Sequence, residues 1–209
     1  MEGLYLLLSS LEDSHHRSEV VSRALRKAHE AGKKFTVIIV DASPRFEGRN
    51  LLNELLKEGI DCVYVLLNAV SYVMRGVSKV LVGASGMLSN GQLYGRSGTA
   101  LVCMMACTYD VPVLVACETY KFSEKIQLDA ICQNEIEDPD DLIEHLPKSN
   151  KIHDWKSKAS LKLLNPAYDL TPMEYISMVI TELGQIPATS VPVVIREYYN
   201  DSLFSDWNQ

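Results

Sequence analysis

Five largely apolar runs alternate with amphipathic segments over residues 4–118, and this alternation constrains the fold more than any other feature. The runs lie at 4–9, 35–41, 61–69, 77–84 and 111–118. Because nearly every residue in each run is apolar, both faces of the strands are expected to be covered, as in a parallel sheet. We therefore predict an α/β fold, a Rossmann-like doubly wound and mostly parallel sheet with helices on both faces.

Helix signals separate these runs and continue beyond them. The predicted helices lie at 18–32, 48–59, 71–76, 97–110 and 171–184. The last of them has the fullest set of signals, since Thr171 is placed as the N-cap, Pro172 as the first helical residue and Glu174 as the partner in a capping box. The apolar run at 191–199 is predicted to form a final strand.

The composition excludes two classes of function. The chain has 209 residues, of which 47% are hydrophobic, and a formal net charge of −7. We expect one domain over 1–200 and a flexible tail at 201–209. The sequence has no basic stripe, so it predicts no nucleic-acid partner. No apolar run approaches the roughly 20 residues that cross a bilayer, so it predicts no association with a membrane.

Five cysteines are present, and their spacing predicts no metal site. They are Cys62, Cys103, Cys107, Cys117 and Cys132. An odd number of cysteines without a CxxC pair is typical of reduced core thiols in a cytosolic protein. A zinc site needs a second ligand pair at suitable spacing, and the sequence contains none. We therefore predict neither a bound metal nor another cofactor.

The stretch VGASGMLSNGQLYGRSGT at 82–99 is the strongest candidate for a ligand loop. Glycines allow backbone N–H groups to approach an anion, and a helix that starts at 97–99 adds a positive dipole. Arg96 is the single charged residue of this stretch. The pattern is neither GxGxxG nor a Walker A sequence. Two interpretations stay open, a phosphate cradle and a strand-to-helix connection without a ligand.

The acids near the predicted strand ends do not assemble a catalytic set. Asp41, Glu47 and Glu118 each lie at or just beyond the end of an apolar run. We interpret Asp41 as a cap of the following turn and Glu118 as a structural hydrogen-bonding group, with general acid–base catalysis as the alternative for Glu118. The acid-rich segment 135–141 is predicted to be an exposed loop. No GxSxG sequence occurs for a nucleophile elbow.

Seven motifs follow one another along the chain. Each motif alone is a weak signal, but the whole set in this order is specific. They are VDASPRFEGRNLL, LLNAVSYVM, VSKVLVGASGMLSNG, GRSGTALV, VPVLVACETYKF, NEIEDPDDL and VITELGQIPATSVPVV. Together they resemble the C-terminal domain of the regulatory subunits of eukaryotic translation initiation factor 2B. The sequence CETYKF, the ExxDPDDL run and the late ITELGxIPxxSVPVV block resemble the delta type within that family. The resemblance covers residues 4–197.

The resembled family shares its fold with methylthioribose-1-phosphate isomerase and archaeal ribose-1,5-bisphosphate isomerase, which carry a GAD-x(5)-NG-x(4)-K-x-GT pattern. The resemblance implies that Ser85 stands at the position of the catalytic acid and Ser43 at that of a phosphate-binding arginine. The isomerases also use an upstream cysteine, whereas no cysteine precedes Cys62 here. The resemblance therefore implies that the chain has no catalytic residue. It also implies a vestigial ligand loop, with the residues Gly83, Ser85, Asn90, Gly91, Arg96, Gly98 and Thr99.

The resemblance implies a non-catalytic regulatory and scaffold subunit of the guanine-nucleotide exchange factor for initiation factor 2, located in the cytosol. Such a subunit pairs with a beta subunit and assembles with alpha, gamma and epsilon subunits. The complex acts on initiation factor 2 in translation initiation, under control of its phosphorylation. The family's N-terminal helical domain is missing, and we expect the natural chain to extend upstream. The alternatives are a sugar-phosphate isomerase and a sugar-phosphate or nucleotide sensor that binds without reacting.

An apolar cluster in a polar context marks a candidate subunit interface. Its expected members are Val70, Tyr72, Val73, Val77, Ala159, Leu161, Leu164 and Tyr168. The alternative is that Leu161 and Leu164 pack under the last helix. A homodimer is the alternative assembly in the absence of partners, because an uncovered apolar interface favours self-pairing.

Overall fold

The computed structural model describes residues 4–9, 19–127, 129, 134–147 and 149–197. Its strands in chain order are β1 Leu4–Ser9, β2 Phe35–Asp41, β3 Asp61–Leu66, β4 Lys79–Gly83, β5 Gly86–Leu88, β6 Leu93–Arg96, β7 Val113–Ala116, β8 Phe122–Ser123, β9 Tyr168–Thr171, β10 Met178–Thr181 and β11 Gly184–Ile186. Seven of them form a sheet in the order β11-β10-β7-β4-β1-β2-β3. Only β11 pairs antiparallel within it. The predicted α/β class is confirmed.

Helices cover both faces of this sheet, as predicted. They are α1 Glu19–Glu30, α2 Gly48–Lys57, α3 Val70–Val73, α4 Thr99–Thr108, α5 Asp141–Glu144 and α6 at 191–197. Side chains alternate between the faces of each strand. Leu8 therefore packs with the buried residues of α1 and α2, whereas Leu7 packs with those of α3, α4 and α6. The predicted tail at 201–209 lies outside the described residues.

Parallel pairing brings the strand ends together at one edge of the sheet. Asp41 at the end of β2 is in register with Leu66 of β3, and Gly83 at the end of β4 with Ala116 of β7. Ligands of open α/β sheets bind at this carboxyl edge. The loops that follow β2, β3, β4 and β7 are therefore the expected places for ligand-binding residues.

The candidate ligand loop is a β-hairpin rather than an open loop. Strands β5 and β6 pair antiparallel and belong to a second sheet of order β8-β5-β6-β9. Gly91 turns the hairpin with a φ of 78°, and its N–H donates to the carbonyl of Leu88. Glycine adopts this left-handed conformation without the strain of a Cβ atom. The chain thus reaches α4 through an ordered hairpin.

The predicted helix at 171–184 is wrong. Thr171 ends β9, and the chain then forms β10 and β11, which Gly184 connects with a φ of 119°. The helix signals were outweighed because Val179 and Ile180 pair with Val115 and Ala116 of β7. Burial of β-branched residues in a sheet overrides local helix propensity.

The predicted final strand at 191–199 is also wrong. Residues 191–197 form α6, and 198–199 lie outside the described residues. Val191 and Ile195 are buried whereas Val193 is exposed. A spacing of four residues between buried side chains is that of a helix face. This amphipathic period, rather than the β-branched composition, determined the structure of the segment.

Candidate functional site

A cavity of about 220 Å³ lies at the carboxyl edge of the main sheet. It is bounded by the loop at 42–47 that follows β2, by the junction of β6 and α4 at 96–98, and by the segments around Glu137 and 164–167. A crevice in this position is the usual ligand site of a doubly wound fold. Two arginines and two glutamates line it, and their contacts decide what it can accept.

Arg96 is buried in the wall of this crevice, with 7% of its side chain exposed. Its Nη1 donates to Glu137 Oε1 at 2.9 Å, and its Nη2 lies 3.6 Å from Glu47 Oε1. The guanidinium carbon also stands 5.3 Å from the ring centroid of Tyr168. A buried guanidinium is stable only when it is paired and hydrogen-bonded. Glu137 provides the hydrogen bond, and Glu137 and Glu47 together provide the opposite charge.

Arg45 binds the same carboxylate from the other side. Its Nη2 lies 2.8 Å from Glu137 Oε1, and its Nε donates to Glu137 Oε2 at 2.9 Å. The charges of two arginines and two glutamates balance. The acidic segment 135–141 is therefore not wholly exposed as predicted, because 11% of the Glu137 side chain is exposed. The arrangement joins three chain segments at the mouth of the crevice.

Asp169 of β9 caps the start of α4. Its Oδ2 accepts hydrogen bonds from the N–H groups of Gly98 at 2.7 Å and Ala100 at 3.0 Å. Helix N-termini attract anions because their first N–H groups lack intrahelical partners. The sequence predicted that the start of α4 could bind phosphate. In the structure, the carboxylate of Asp169 occupies this position.

Burial raises the pKa of Asp169 to about 6, against the opposing hydrogen bonds from Ala100 and Gly98. The folded state therefore favours the neutral carboxyl more than the unfolded state does. The resulting contribution to stability is full below the unfolded pKa and is lost as the pH rises through 6.

We expect Asp169→Asn to change the pH dependence of stability in a defined direction. Between pH 4 and 7.5 the free energy of unfolding of the variant should gain about 2 kcal/mol relative to the wild type, since one pKa unit corresponds to about 1.36 kcal/mol. Urea denaturation at several pH values measures this difference. A difference that stays constant with pH would contradict the assigned pKa.

The predicted loop residues are divided among three places. Arg96 and Gly98 line the crevice, and Thr99 is the buried first residue of α4. Asn90 and Gly91 instead form the hairpin turn, where Asn90 Nδ2 donates to the side chain of Gln92 at 2.9 Å. Gly83 ends β4, and Ser85 has an exposed side chain and donates its N–H to the Tyr94 carbonyl.

Two acids proposed as structural do make structural contacts. Asp41 is fully buried and accepts hydrogen bonds from the Ala42 N–H and the Tyr64 hydroxyl, both at 2.8 Å. Glu118 lies 2.9 Å from the Lys121 ammonium, which also donates to the carbonyl of Ala84. These contacts fix the loops that follow β2 and β7.

No cysteine of the described residues lines the crevice. Burial raises the pKa of both Cys103 and Cys117 to about 12, so their thiols stay protonated. Cys107 is exposed, which corrects its prediction as a core thiol, and Cys132 lies outside the described residues. Within the described part of the chain, no cluster of His, Cys, Asp and Glu side chains could hold a metal ion.

The candidate interface residues differ in their exposure. Val70 and Val77 are buried in the core, whereas Tyr72 is 88% exposed. Leu164 is exposed and lines the crevice, and Tyr168 stacks on Tyr94 with ring centroids 4.6 Å apart. The side chains of Val73 and Leu161 are half-buried, and that of Ala159 is exposed.

Helix α4 presents an apolar surface that sequence reasoning missed. Leu101 and Met104 point outward from it and are 39% and 40% exposed. The helix is apolar on all sides, and α3 packs beside it. A helix that lacks a polar face is expected to have its outward side covered by another surface. The apolar composition of the whole of α4 was therefore the signal for this surface in the sequence.

Arg45, Glu137 and Asp169 were also missed as site residues. Arg45 and Glu137 are 92 positions apart along the chain and meet only through the tertiary fold, and Asp169 lies a further 32 positions on. One signal was available, because a lone arginine in an apolar loop needs an acid from elsewhere.

Among the helices that the structure describes, none has both the length and the apolar character of a membrane-spanning segment.

Comparison with known proteins identifies related chains. Translation initiation factor eIF2B subunit delta of Dictyostelium discoideum is 52% identical over 87% of this chain and 30% of the relative. The delta subunit of Schizosaccharomyces pombe is 43% identical over 87% of this chain and 40% of the relative. Ribose 1,5-bisphosphate isomerase of Pyrococcus furiosus is 32% identical over 89% and 56%. The chain thus spans less than two thirds of each of these relatives.

Solved structures share the fold. A tetrameric eIF2B-beta2-delta2 complex from C. thermophilum contains a chain with 27% identity and a TM-score of 0.68, covering 85% of this chain and 50% of that one. A 5-methylthioribose 1-phosphate isomerase from Pyrococcus horikoshii OT3 has a TM-score of 0.76 at 19% identity, covering 95% and 55%. A sequence profile of the Initiation factor 2 subunit family matches residues 14–188. The chain therefore belongs to the Initiation factor 2 subunit family.

Proposed function

We propose that this chain is the α/β domain, over residues 1–200, of a delta-type regulatory subunit of the exchange factor for initiation factor 2. It acts in the cytosol as a scaffold in translation initiation and in its control by phosphorylated initiation factor 2. Sequence identity of 52% and 43% with two delta subunits supports the assignment. The beta subunit is the direct partner, and the alpha, gamma and epsilon subunits and initiation factor 2 are partners of the assembled complex.

The observation that carries the non-catalytic part of this proposal is the charge balance of the crevice. Both cations that a sugar phosphate would need are paired, Arg96 with Glu137 and Glu47, and Arg45 with Glu137. An anionic substrate gains little from a guanidinium that is already neutralised. The resemblance implies that Ser85 stands at the position of the isomerase acid, and a serine hydroxyl there would not serve as the general base.

The outward side of α4 supports a role in assembly. Leu101 and Met104 expose apolar surface there, and Tyr72 extends from the neighbouring α3. Exposed apolar surface that is grouped on one side of a domain is typical of an interaction site. Aromatic residues and methionine are enriched at the centres of such interfaces. We assign this surface to pairing with the beta subunit.

Leu101→Lys is expected to weaken pairing with a beta subunit at least tenfold, because a buried ammonium without a partner is strongly unfavourable. Leu56→Lys is the matched control, since Leu56 is exposed on α2 at the other face of the sheet. Co-expression, copurification and light scattering measure the pairing. Equal loss in both variants, or no loss in Leu101→Lys, would contradict the assigned surface.

A sugar-phosphate isomerase is the second candidate, favoured by the 32% identity with the Pyrococcus furiosus enzyme. The purified chain is expected to convert neither ribose-1,5-bisphosphate nor methylthioribose-1-phosphate. Turnover above background, together with failure to pair with a beta subunit, would replace the scaffold assignment by an enzymatic one. A homodimer in the absence of partners would be detected in the same light-scattering experiment.

A further inference from the structure

We infer that Glu137 is an internal occupant of an oxyanion site, and that the crevice takes a phosphate-class anion only when this carboxylate is removed. Both oxygens of Glu137 are held by guanidinium groups. Oε1 receives Arg96 Nη1 at 2.9 Å and Arg45 Nη2 at 2.8 Å, and Oε2 receives Arg45 Nε at 2.9 Å. Two guanidiniums that converge on adjacent oxygens form the geometry that also binds phosphate.

Of the two cations of this site, Arg96 has partners other than Glu137 that hold it in place. Arg96 is held from another direction by Glu47 and by the face of the Tyr168 ring. Its guanidinium is buried by the surrounding fold, so few rotamers are open to it. Removing the Glu137 charge therefore leaves Arg96 in place beside a cavity of about 220 Å³. A preorganised cation next to an open cavity is the requirement for anion binding.

The backbone that carries Glu137 is also fixed without its side chain. The Glu137 N–H donates to the Asn165 carbonyl at 2.8 Å, and Asn165 Nδ2 donates to the Asp138 carbonyl at 3.0 Å. Ile136 forms a bridge with Pro166. A carboxylate tethered in this way competes with free anions at a high effective concentration. Weakly binding anions are therefore excluded from the intact crevice.

Glu137→Gln tests this inference because the amide keeps the shape of the side chain and removes its charge. Inorganic phosphate is the probe, titrated against the purified chain by calorimetry and by thermal unfolding at constant ionic strength. We expect Glu137→Gln to bind phosphate at least tenfold more tightly than the wild type, with a rise in Tm that follows phosphate concentration. Ribose-5-phosphate in a parallel titration separates a phosphate ester from free phosphate as the preferred anion.

Glu135→Gln is the matched control, since Glu135 is an exposed acid two residues earlier in the same segment. It should bind phosphate no better than the wild type. Phosphate affinity in Glu137→Gln equal to that of the wild type, or equal gains in both variants, would overturn the inference. Glu137→Ala provides a second variant if the glutamine form is unfolded by circular dichroism. Pairing with a beta subunit is measured separately, so failure of this inference leaves the proposed function intact.

Discussion

Gly91→Ala should lower the free energy of unfolding by about 3 kcal/mol, one of the two largest effects expected in this domain. A Cβ atom at this position would lie 2.7 Å from Met173 Sδ and 2.9 Å from the Ala188 carbonyl oxygen. The carbonyl belongs to the backbone and cannot move aside as a side chain can. The φ of 78° adds the strain of a left-handed conformation in a residue with a side chain.

Gly59→Ala separates these two causes. Gly59 has nearly the same φ, 76°, but a Cβ atom there meets nothing within 4 Å. This control should lose only about 1 kcal/mol, the cost of the backbone conformation alone. Urea denaturation of the wild type and both variants gives the comparison. Equal losses in the two variants would show that the hairpin turn is not packed against 173 and 188.

Arg96→Met is the second large effect, with an expected loss of about 3 kcal/mol at pH 7. The substitution keeps the apolar length of the side chain but leaves the carboxylates of Glu137 and Glu47 without their shared buried cation. Removing one partner of a buried ion pair is costly because the remaining charge stays desolvated. Arg45 continues to hold Glu137, which keeps the loss at the lower end of the usual range.

A double-mutant cycle identifies the charge as the cause. Arg96→Met combined with Glu137→Gln should cost at least 1 kcal/mol less than the sum of the two single changes, because the double variant no longer buries that carboxylate. Chemical denaturation of the four proteins provides the cycle. Additive losses would show that Arg96 stabilises the crevice by packing alone. Arg96→Met with Glu135→Gln, which should be additive, is the control.

The sequence predicted the five parallel strands β1, β2, β3, β4 and β7, although not the β5–β6 hairpin, because local and tertiary signals agree at these strands. Strands β2 and β4 are apolar on both faces, and their helices end at glycines such as Gly32, so periodicity and turn chemistry lead to one answer. At 171–184 they disagree. Thr171, Pro172 and Glu174 match a helix start, but hydrogen bonding to β7 and burial of Val179 decide for strands.

The candidate site was predictable only in part, for a reason of distance along the chain. Arg96 could be selected because it is the single charge in a glycine-rich stretch beside a strand end. Its partner Glu137 is 41 positions away in a segment without regular periodicity. Asp169 likewise lies beyond the predicted loops, within a strand that the sequence did not indicate. Such pairs depend on the tertiary fold, which brings distant segments of the chain together.

Asp169 accepts hydrogen bonds from the N–H groups of Gly98 and Ala100, so the chain supplies an anionic group of its own at the start of α4. A domain whose helix start is filled by a small molecule gains stability with ligand concentration, by RT ln(1 + [L]/Kd). A domain that supplies its own anion at this helix start does not have that dependence there. We therefore expect the stability of this domain not to change with anion concentration through binding at the start of α4.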